Sequence, residues 1–422
     1  MKTIYFHLMP YPELPADFQQ KHRSVWVDID PSLFDPNVGN RAYNAYIDQI
    51  EYAAGLGFDG IGVNEHHSNG YGMMPSPNLI ASILARSCPD IAILILGDSV
   101  ALYNPPIRVA EEIAMLDCIS GGRIIAGFPV GSPMDTAFAY GQNPATLREK
   151  YYEGVDLIRA AWAADEPFAF NGNFTKLRYV NCWPRPIQRP SPPIWIPGGG
   201  SVETWSWCAE KNLPYLYLSY FGYKAAEQSM SGYWEAMGEA GREPNPFAAG
   251  FVQFIGVGAT EKEAYDLYRE PAEYFFNRSL HVYAGFADPP GYKSVETVRA
   301  GVEGMVERAA REATQRKMAP VKQGSQSKLT FDEMVEKGYV VLGSPEQVVE
   351  KLKTIATDLN VGRLIALCQF GNMSSDLAKY NAELMATKVL PEIREMFESE
   401  WKDEWWISPS ESRVRMAEGV PT

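Results

Sequence analysis

The sequence is poor in the residues that build metal centres and disulfide frameworks. Only five cysteines and five histidines occur in 422 residues, and the cysteines show neither a C-x-x-C pair nor another metal-ligand spacing. An odd, dispersed set of cysteines is typical of a reducing compartment, so we expect no disulfides and no metal. No apolar run approaches the roughly 18 residues of a membrane span. The apolar start of the chain is cut off at Pro10, which argues against a signal peptide. These absences predict a cytoplasmic protein.

A basic surface is also lacking. The formal net charge is −14 and the isoelectric point is about 5.0, and such a field repels phosphate backbones and anionic membranes. We therefore expect no nucleic acid and no membrane partner, and an anionic cofactor would need a locally basic pocket. The chain also has no G-x-x-x-x-G-K-[ST] loop, no G-x-S-x-G elbow and no H-E-x-x-H motif, which excludes the best-marked nucleotide, hydrolase and zinc sites.

What the chain does have is a regular alternation of short apolar strands and amphipathic helices. About eight such units predict a closed (β/α)8 TIM barrel, because an open doubly wound sheet usually stops at five to seven strands. A separate hairpin is predicted over residues 168–180, where Asn171-Gly172 is a turn signal. The predicted barrel strands cover residues 3–9, 60–63, 91–96, 123–128, 193–197, 215–219, 251–257 and 364–369.

Two long stretches interrupt this rhythm. Residues 10–40 follow the first strand, and residues about 284–339 follow the seventh, with a charged helical piece over 298–315 and a polar run over 322–327. Long loops after barrel strands lie at the C-terminal face, where barrel active sites are found, so we interpret both insertions as lids. The barrel is expected to cover residues 1–400. The tail 401–422 carries three tryptophans, which predicts packing on the barrel or on a second subunit.

Glu65-His66-His67 stands where the second strand ends. A histidine pair there could bind a metal, act in acid–base chemistry, contact a substrate or simply pack. No third ligand stands at a readable spacing, which favours the acid–base and substrate roles. Glu65 could orient one ring by accepting an N–H bond, or could serve as a helix cap or ion-pair partner.

Gly198-Gly199-Gly200-Ser201 separates a predicted strand from a predicted helix. Glycines allow an anion to approach the backbone, and helix N–H groups with Ser201 and Thr204 could donate to a phosphate. A plain tight loop is the alternative. Arg108, in the helix opened by Asn104-Pro105-Pro106, and Arg123, before a strand, are candidate phosphate cations, although spacing alone also fits surface or structural arginines.

Four ordered segments resemble the bacterial luciferase-like flavin monooxygenase family. They are GFDGIGVNEHH (57–67), NPPIRVAEEIAMLDCISGGR (104–123), PIWIPGGGSVETW (193–205) and GSPEQVVEKL (343–352), with a weaker fifth, AELMATKVLPEIRE (382–395). Together they span most of the chain. The resemblance implies a (β/α)8 barrel, reduced FMN as co-substrate, activation of oxygen on that flavin, a separate flavin reductase as partner, and a homodimer formed through barrel helices.

The resemblance also assigns residues. His66 matches the catalytic histidine and Glu65 precedes it. The flavin phosphate is expected at Asn104, Arg108, Arg123, Gly199, Gly200, Ser201 and Thr204. Gly200 stands where the family often has an acidic residue. The substrate side is assigned to His67 and to loop aromatics, for each of which mere packing is the alternative: Tyr11, Phe18, Trp26, Phe34 and Tyr71.

Three functions fit this pattern. The first is a two-component flavin monooxygenase acting on a small organic molecule. The second is a deazaflavin- or flavin-dependent oxidoreductase that transfers hydride on the same barrel. The third is a non-catalytic flavin-binding protein. Hydroxylation, Baeyer–Villiger insertion and oxidative ring cleavage fit the sequence equally well, so the substrate cannot be read from it.

Overall fold

Eight parallel strands close into a barrel in the computed structural model, which describes residues 1–218, 220–299, 302, 329–406 and 409. The ring closes because β11 pairs with β1 and β9 pairs with β8. This confirms the predicted TIM barrel. In barrel order the strands are β1 (Lys2–Phe6), β2 (Gly60–Val63), β3 (Ala92–Leu96), β4 (Ile124–Gly127), β7 (Ile194–Gly198), β8 (Tyr215–Tyr217), β9 (Ala249–Val257) and β11 (Arg363–Leu367).

The barrel strands have the composition that two-sided burial requires. All five residues of β3, AILIL, are buried, and so are all nine of β9. Parallel strands covered by helices read as continuous apolar runs for this reason. The predicted hairpin is also present as β5 (Phe168–Asn171) and β6 (Lys176–Val180), which pair antiparallel outside the barrel.

Helices surround the strands, and local signals set where many of them begin. The helix Pro36–Ala54 has Asp35 as its N-cap, whose side chain accepts from the Asn37 N–H group, and Pro36 in its first turn. The other helices of ten residues or more are Pro77–Ser87, Ile107–Ser120, Pro144–Ala163, Val202–Lys211, Tyr223–Glu239, Glu261–Tyr274, Pro345–Asp358 and Ser375–Leu384. Within the described part of the chain, none of the helices has the length and hydrophobicity to cross a bilayer.

The segment between β9 and β11 contains one strand that the sequence does not predict. A helix, Glu261–Tyr274, follows β9 as the alternation predicts, and Tyr274 reaches the first long loop, where its hydroxyl donates to the Tyr11 carbonyl. The chain returns through an additional strand, β10 (Val340–Gly343), which pairs with the last four residues of β9. The predicted polar run over 322–327 and most of the predicted helix over 298–315 lie outside the described residues.

The start of the tail packs against the N-terminal end of the barrel, one of its two predicted positions. Arg363, at the start of β11, is completely buried; its guanidinium pairs with Asp403 at 2.5 Å and lies 4.5 Å from the Trp195 ring centre. The Trp405 indole donates to a backbone carbonyl, and Trp406 contacts Trp195.

Candidate functional site

Polar residues that follow separate strands meet at the C-terminal end of the barrel. Glu65-His66-His67 follows β2, Asp98 follows β3, Asp135 comes after β4, and Ser201 follows β7. Because all barrel strands are parallel, their carboxyl ends open on the same face. The topology therefore places these side chains around one mouth, next to the first long insertion, whose Trp26 contacts His66 and Asp135.

His66 is paired with a carboxylate that sequence reasoning missed. Its Nδ1 lies 2.9 Å from Asp135 Oδ2, across 69 residues of sequence. Asp135 also accepts from the Ser132 hydroxyl, the Trp26 indole N–H at 2.8 Å and the backbone N–H of His67 at 2.9 Å. Burial acts to raise the pKa of Asp135, but His66 and the other donors outweigh it and hold the pKa below its usual value. An ionised Asp135 only accepts, so His66 carries its proton on Nδ1.

His67 has a different carboxylate and the opposite orientation. Its Nε2 lies 2.8 Å from Glu65 Oε1, and the other Glu65 oxygen accepts from the Ser99 N–H group at 2.5 Å. Glu65 thus orients a ring, as predicted, but the ring is that of His67. Each imidazole is fixed by an acceptor at one nitrogen, as acid–base and binding histidines commonly are. Among the described residues, neither Nε2 of His66 nor Nδ1 of His67 forms a hydrogen bond, so the two rings leave chemically different nitrogens without a partner.

Aromatic side chains enclose His66. Trp26, from the first long loop, stacks on Tyr71 with ring centres 4.5 Å apart, and the two rings meet the imidazole edge-on at 5.0 and 4.8 Å. Tyr71 in turn donates its hydroxyl to Tyr220, after β8, at 2.5 Å. The His66 side chain keeps 17% of its surface exposed while that of Asp135 keeps 3%. Within this pair, which aromatic side chains surround, the imidazole is therefore the more accessible member and the carboxylate is the buried one.

Tyr11 does not join this group. Its hydroxyl accepts from the Asp35 N–H group and its ring contacts Phe34, where the long loop meets the helix Pro36–Ala54. Phe18 is fully buried and stacks on His22. The predicted substrate residues thus form two groups. Trp26, His67 and Tyr71 lie beside His66. Tyr11, Phe18 and Phe34 take part in the packing of the loop.

The glycine-rich turn after β7 leaves room beside a helix N-terminus. Gly200 has a φ of +100°, which favours glycine, and its N–H donates to the Tyr215 hydroxyl at 2.9 Å. A Cβ added to Gly199 would meet nothing within 4 Å. Ser201 is the N-cap of the ten-residue helix Val202–Lys211. A helix N-terminus next to open space is a favourable position for an anion.

A basic residue reaches this turn from another helix. Arg148 lies on Pro144–Ala163, and its guanidinium donates to Thr204 Oγ1 at 2.7 Å. Among the described residues, no carboxylate forms an ion pair with it. Arg148 was not predicted from the sequence, because it stands among the mixed charges of a long helix. Only the fold brings it to Thr204.

An acidic residue stands at the same turn. Glu203 accepts from the Ser201 hydroxyl at 2.6 Å and from Thr297, at the start of the second insertion, at 2.8 Å. Although burial alone would raise it, these hydroxyl donors lower the pKa of Glu203 to about 2. The carboxylate is therefore ionised and opposes Arg148 in the binding of an anion.

The other predicted phosphate residues lie elsewhere. Arg123 precedes β4, so it lies at the N-terminal end of the barrel, and its buried guanidinium donates to the carbonyls of Ala85, Cys88, Ile91 and Ser120 at 2.6–2.8 Å. Arg108 is exposed and pairs with Glu112, one turn along its own helix, at 2.7 Å. Asn104 is exposed on the preceding turn. The structure does not bring these three residues to the glycine-rich turn, because Arg123 is at the wrong end of its strand and Arg108 points along the helix surface.

No group of three or more histidine, cysteine or carboxylate side chains is arranged to hold a metal ion in the part of the chain that the structure describes. The two His–carboxylate pairs are separate pairs of one ring and one acid. The site can hold and move protons, exclude water and bind an anion at the turn after β7.

Comparison with known proteins places these features in a family. Residues 29–361 match the family model described as luciferase-like monooxygenase. The oxygenase component of flavin-dependent trigonelline monooxygenase from Acinetobacter baylyi is 29% identical over 178 residues, which are 41% of this chain and 48% of that protein. This chain thus matches about half the length of that relative.

Two solved structures share the whole architecture. One is the oxygenating constituent of 3,6-diketocamphane monooxygenase from Pseudomonas putida, a type II Baeyer–Villiger monooxygenase in complex with FMN, with a TM-score of 0.66, 20% identity and coverage of 93% of this chain and 99% of that one. The other is an F420-dependent secondary alcohol dehydrogenase, with a TM-score of 0.61, 15% identity and the same coverage. At these identities the likeness shows the fold alone.

Proposed function

Because this chain belongs to the luciferase-like monooxygenase family, we propose that it is the oxygenase of a two-component system. In this proposal it takes reduced FMN from a separate flavin reductase and uses it with O2 to oxygenate a small organic substrate. The observation that carries the proposal is the His66–Asp135 pair, set under aromatic cover at the barrel mouth.

The turn after β7 fits the phosphate of FMN. Open space at Gly199, the N-terminus of Val202–Lys211 and the guanidinium of Arg148 together offer N–H donors and a positive charge. Glu203 is the one member that disfavours an anion, so a bound phosphate has to compete with it for Ser201. Gly199, Gly200, Ser201, Thr204 and Arg148 are the proposed phosphate residues.

When bound, a reduced flavin supplies the electrons that activate oxygen, and the chain's own residues do the rest. His66, fixed through Nδ1 by Asp135, directs Nε2 away from that carboxylate and can hold or donate a proton there. Trp26 and Tyr71 keep bulk water from the ring. Water exclusion matters because reduced oxygen species are otherwise lost to side reactions. In this proposal His67, whose Nε2 is held by Glu65, accepts a hydrogen bond from the substrate through Nδ1.

A homodimer is part of the proposal. Large apolar side chains remain exposed on two helices that pack side by side, Pro77–Ser87 and Ile107–Ser120. They are Leu79, Ile83, Met115 and Ile119, exposed by 68, 43, 47 and 41%. Such a patch is costly in water and is typical of a protein interface. Light-scattering mass measurement of the wild type and of a Leu79→Arg, Met115→Arg variant tests it; a monomeric wild type contradicts it.

Hydride transfer with a deazaflavin is the second candidate, because an F420-dependent secondary alcohol dehydrogenase has the same fold. Anaerobic fluorescence titration of the protein with reduced FMN and with F420 separates the two. The proposal predicts saturable binding of reduced FMN and oxygen uptake when air is admitted. Tight binding of F420 without binding of reduced FMN contradicts it and supports the dehydrogenase.

His66→Ala tests whether the protein is catalytic at all. The variant should keep its affinity for reduced FMN, since the phosphate residues are untouched, and should lose coupled oxygen chemistry. If His66→Ala has the same oxygen-uptake rate and the same hydrogen peroxide yield as the wild type, the chain is a non-catalytic flavin-binding protein.

A further inference from the structure

A second buried carboxyl group lies next to Glu65, and one hydroxyl joins the two. Tyr103 Oη is 3.2 Å from Glu65 Oε1 and 3.3 Å from Asp98 Oδ1. Asp98 is completely buried at the end of β3. It also accepts from the Asn78 amide at 3.1 Å, while its other oxygen, Oδ2, has no hydrogen-bond partner among the described residues.

No positive charge compensates these two acids directly. In the part of the chain that the structure describes, neither Asp98 nor Glu65 forms an ion pair with lysine or arginine; Glu65 faces only the imidazole of His67. Arg108, the basic residue of the network, pairs with Glu112, whose carboxylate faces Asp98 through Asn78. Two ionised carboxylates in this buried environment would repel each other with no cation between them, which proteins avoid by keeping one acid protonated.

The hydrogen bonds decide which acid holds the proton. Tyr103 has a single hydroxyl proton and can donate it to only one of the two carboxyl groups. Both oxygens of Glu65 already have partners, because Oε2 accepts from the Ser99 N–H group and Oε1 lies 2.8 Å from His67 Nε2. Asp98 accepts one amide N–H and has an oxygen without a donor. Glu65 is therefore the ion and Asp98 the acid.

We propose that Asp98 is a neutral carboxylic acid that donates its proton to Tyr103, so that Tyr103 donates its own to Glu65 and both act as positioning residues for His67. The direction of every bond then follows: Asp98 to Tyr103, Tyr103 to Glu65, and His67 Nε2 to Glu65. Burial and the carboxylates of Glu65 and Glu112 raise the pKa of Asp98 well above its usual value, which agrees with this arrangement.

The consequence for the site is a fixed imidazole. With Glu65 held as the only charged member of the chain, His67 keeps its proton on Nε2 and presents Nδ1 as an acceptor. This consequence rests on the proposed function, in which His67 contacts the substrate. The protonation of Asp98 does not depend on that function, so the two can be tested separately.

Infrared difference spectroscopy on the full chain tests the protonation directly. At pH 7 the wild type minus Asp98→Asn spectrum should contain the carbonyl band of a protonated carboxylic acid, which shifts in D2O. The wild type minus Glu65→Gln spectrum should contain a carboxylate band instead. The proposal is overturned if the protonated band is missing from the first difference, or if it occurs in the second.

The positioning role has its own test, conditional on flavin-dependent oxygen uptake by the wild type. Asp98→Ala and Tyr103→Phe should each lower substrate-coupled turnover about tenfold or more, with unchanged affinity for reduced FMN. Asp98→Asn, still a neutral donor, should recover much of the loss, and Tyr179→Phe on the exposed hairpin controls for loss of a hydroxyl. Equal losses in Asp98→Asn and Asp98→Ala, or none in Tyr103→Phe, contradict the role. If the wild type shows no flavin-dependent activity, the infrared result still stands.

Discussion

His66 Nδ1 and Asp135 Oδ2 are 2.9 Å apart, although 69 residues separate them in sequence. Asp135 ties three parts of the mouth together, because it also binds Trp26 of the first long loop and the backbone of His67. The orientation of the ring is thus linked to the closure of the loop over it. The account proposed above depends on this pair more than on any other contact.

Asp135→Asn should keep the fold and lose most of the activity. An amide in place of the carboxylate can offer an N–H to His66 Nδ1 and so favour the wrong tautomer, for which losses on the order of 10²–10⁴ in turnover are usual. The measurement is the oxygen-uptake rate with saturating reduced FMN. Ser132→Ala, which removes one weaker donor to the same carboxylate, is the matched control and should lose far less. Similar losses in both variants would argue against the pair.

Glu203→Gln should tighten binding of FMN and leave riboflavin unaffected. The substitution removes a negative charge from the turn where the phosphate is proposed to bind, and charges near a partly exposed site change affinity by about threefold to tenfold. Fluorescence titration with the two flavins measures this, since riboflavin lacks the phosphate. Arg148→Gln should have the opposite effect on FMN. If both variants change FMN and riboflavin affinity alike, the phosphate lies elsewhere.

Arg123→Met should damage stability and spare flavin binding. The guanidinium satisfies four backbone carbonyls at the closed end of the barrel, and leaving buried acceptors without donors costs about 1–3 kcal/mol per group before relaxation. We expect the free energy of unfolding in urea to fall by about 2–4 kcal/mol. The folded fraction should bind reduced FMN as the wild type does. A selective loss of FMN affinity would instead support the assignment of Arg123 to the phosphate site.

Asp98 should make stability fall as the pH rises. Its pKa is raised in the folded protein above the ordinary value of 3.8, so well below that pH Asp98 is protonated in both states and does not affect stability. Above that, the unfolded chain ionises while the folded protein keeps the proton, and the folded state loses stability. Asp98→Asn removes this loss, so its stability relative to the wild type should increase from pH 4 to pH 8 in urea unfolding. A constant difference across this range would show that Asp98 is ionised in the fold.

The barrel was predictable because its signals are local. Each barrel strand carries its own apolar run and several long helices begin with a capping side chain, so neighbouring residues suffice to predict them. β10 was missed because four residues inside a long insertion carry too little pattern, and its pairing with β9 is a tertiary contact. Arg123 comes directly before its strand, so the sequence already indicated that it lies at the N-terminal end of the barrel. The motif match led us to assign it to the phosphate instead.

Only part of the candidate site could be predicted from the sequence. Glu65-His66-His67 and the glycine-rich turn stand in the sequence as compact motifs. Asp135 and Arg148 do not, because each reaches the site from a separate unit and becomes a partner only when the barrel closes. The sequence predicts Trp26 as one of several loop aromatics, but not its hydrogen bond to Asp135. The pairing of rings with acids was likewise unreadable, since Glu65 precedes both histidines and geometry alone assigns it to His67.

The most direct test of the account is the oxidation of reduced FMN bound to the wild type and to Asp135→Asn, followed by stopped-flow absorbance after mixing with O2. The account predicts that the wild type binds reduced FMN and reoxidises it in at least two phases, with hydrogen peroxide appearing only in the last. Asp135→Asn should bind it as tightly and release peroxide early. Failure of the wild type to bind reduced FMN, or identical single-phase oxidation in both proteins, would contradict the account.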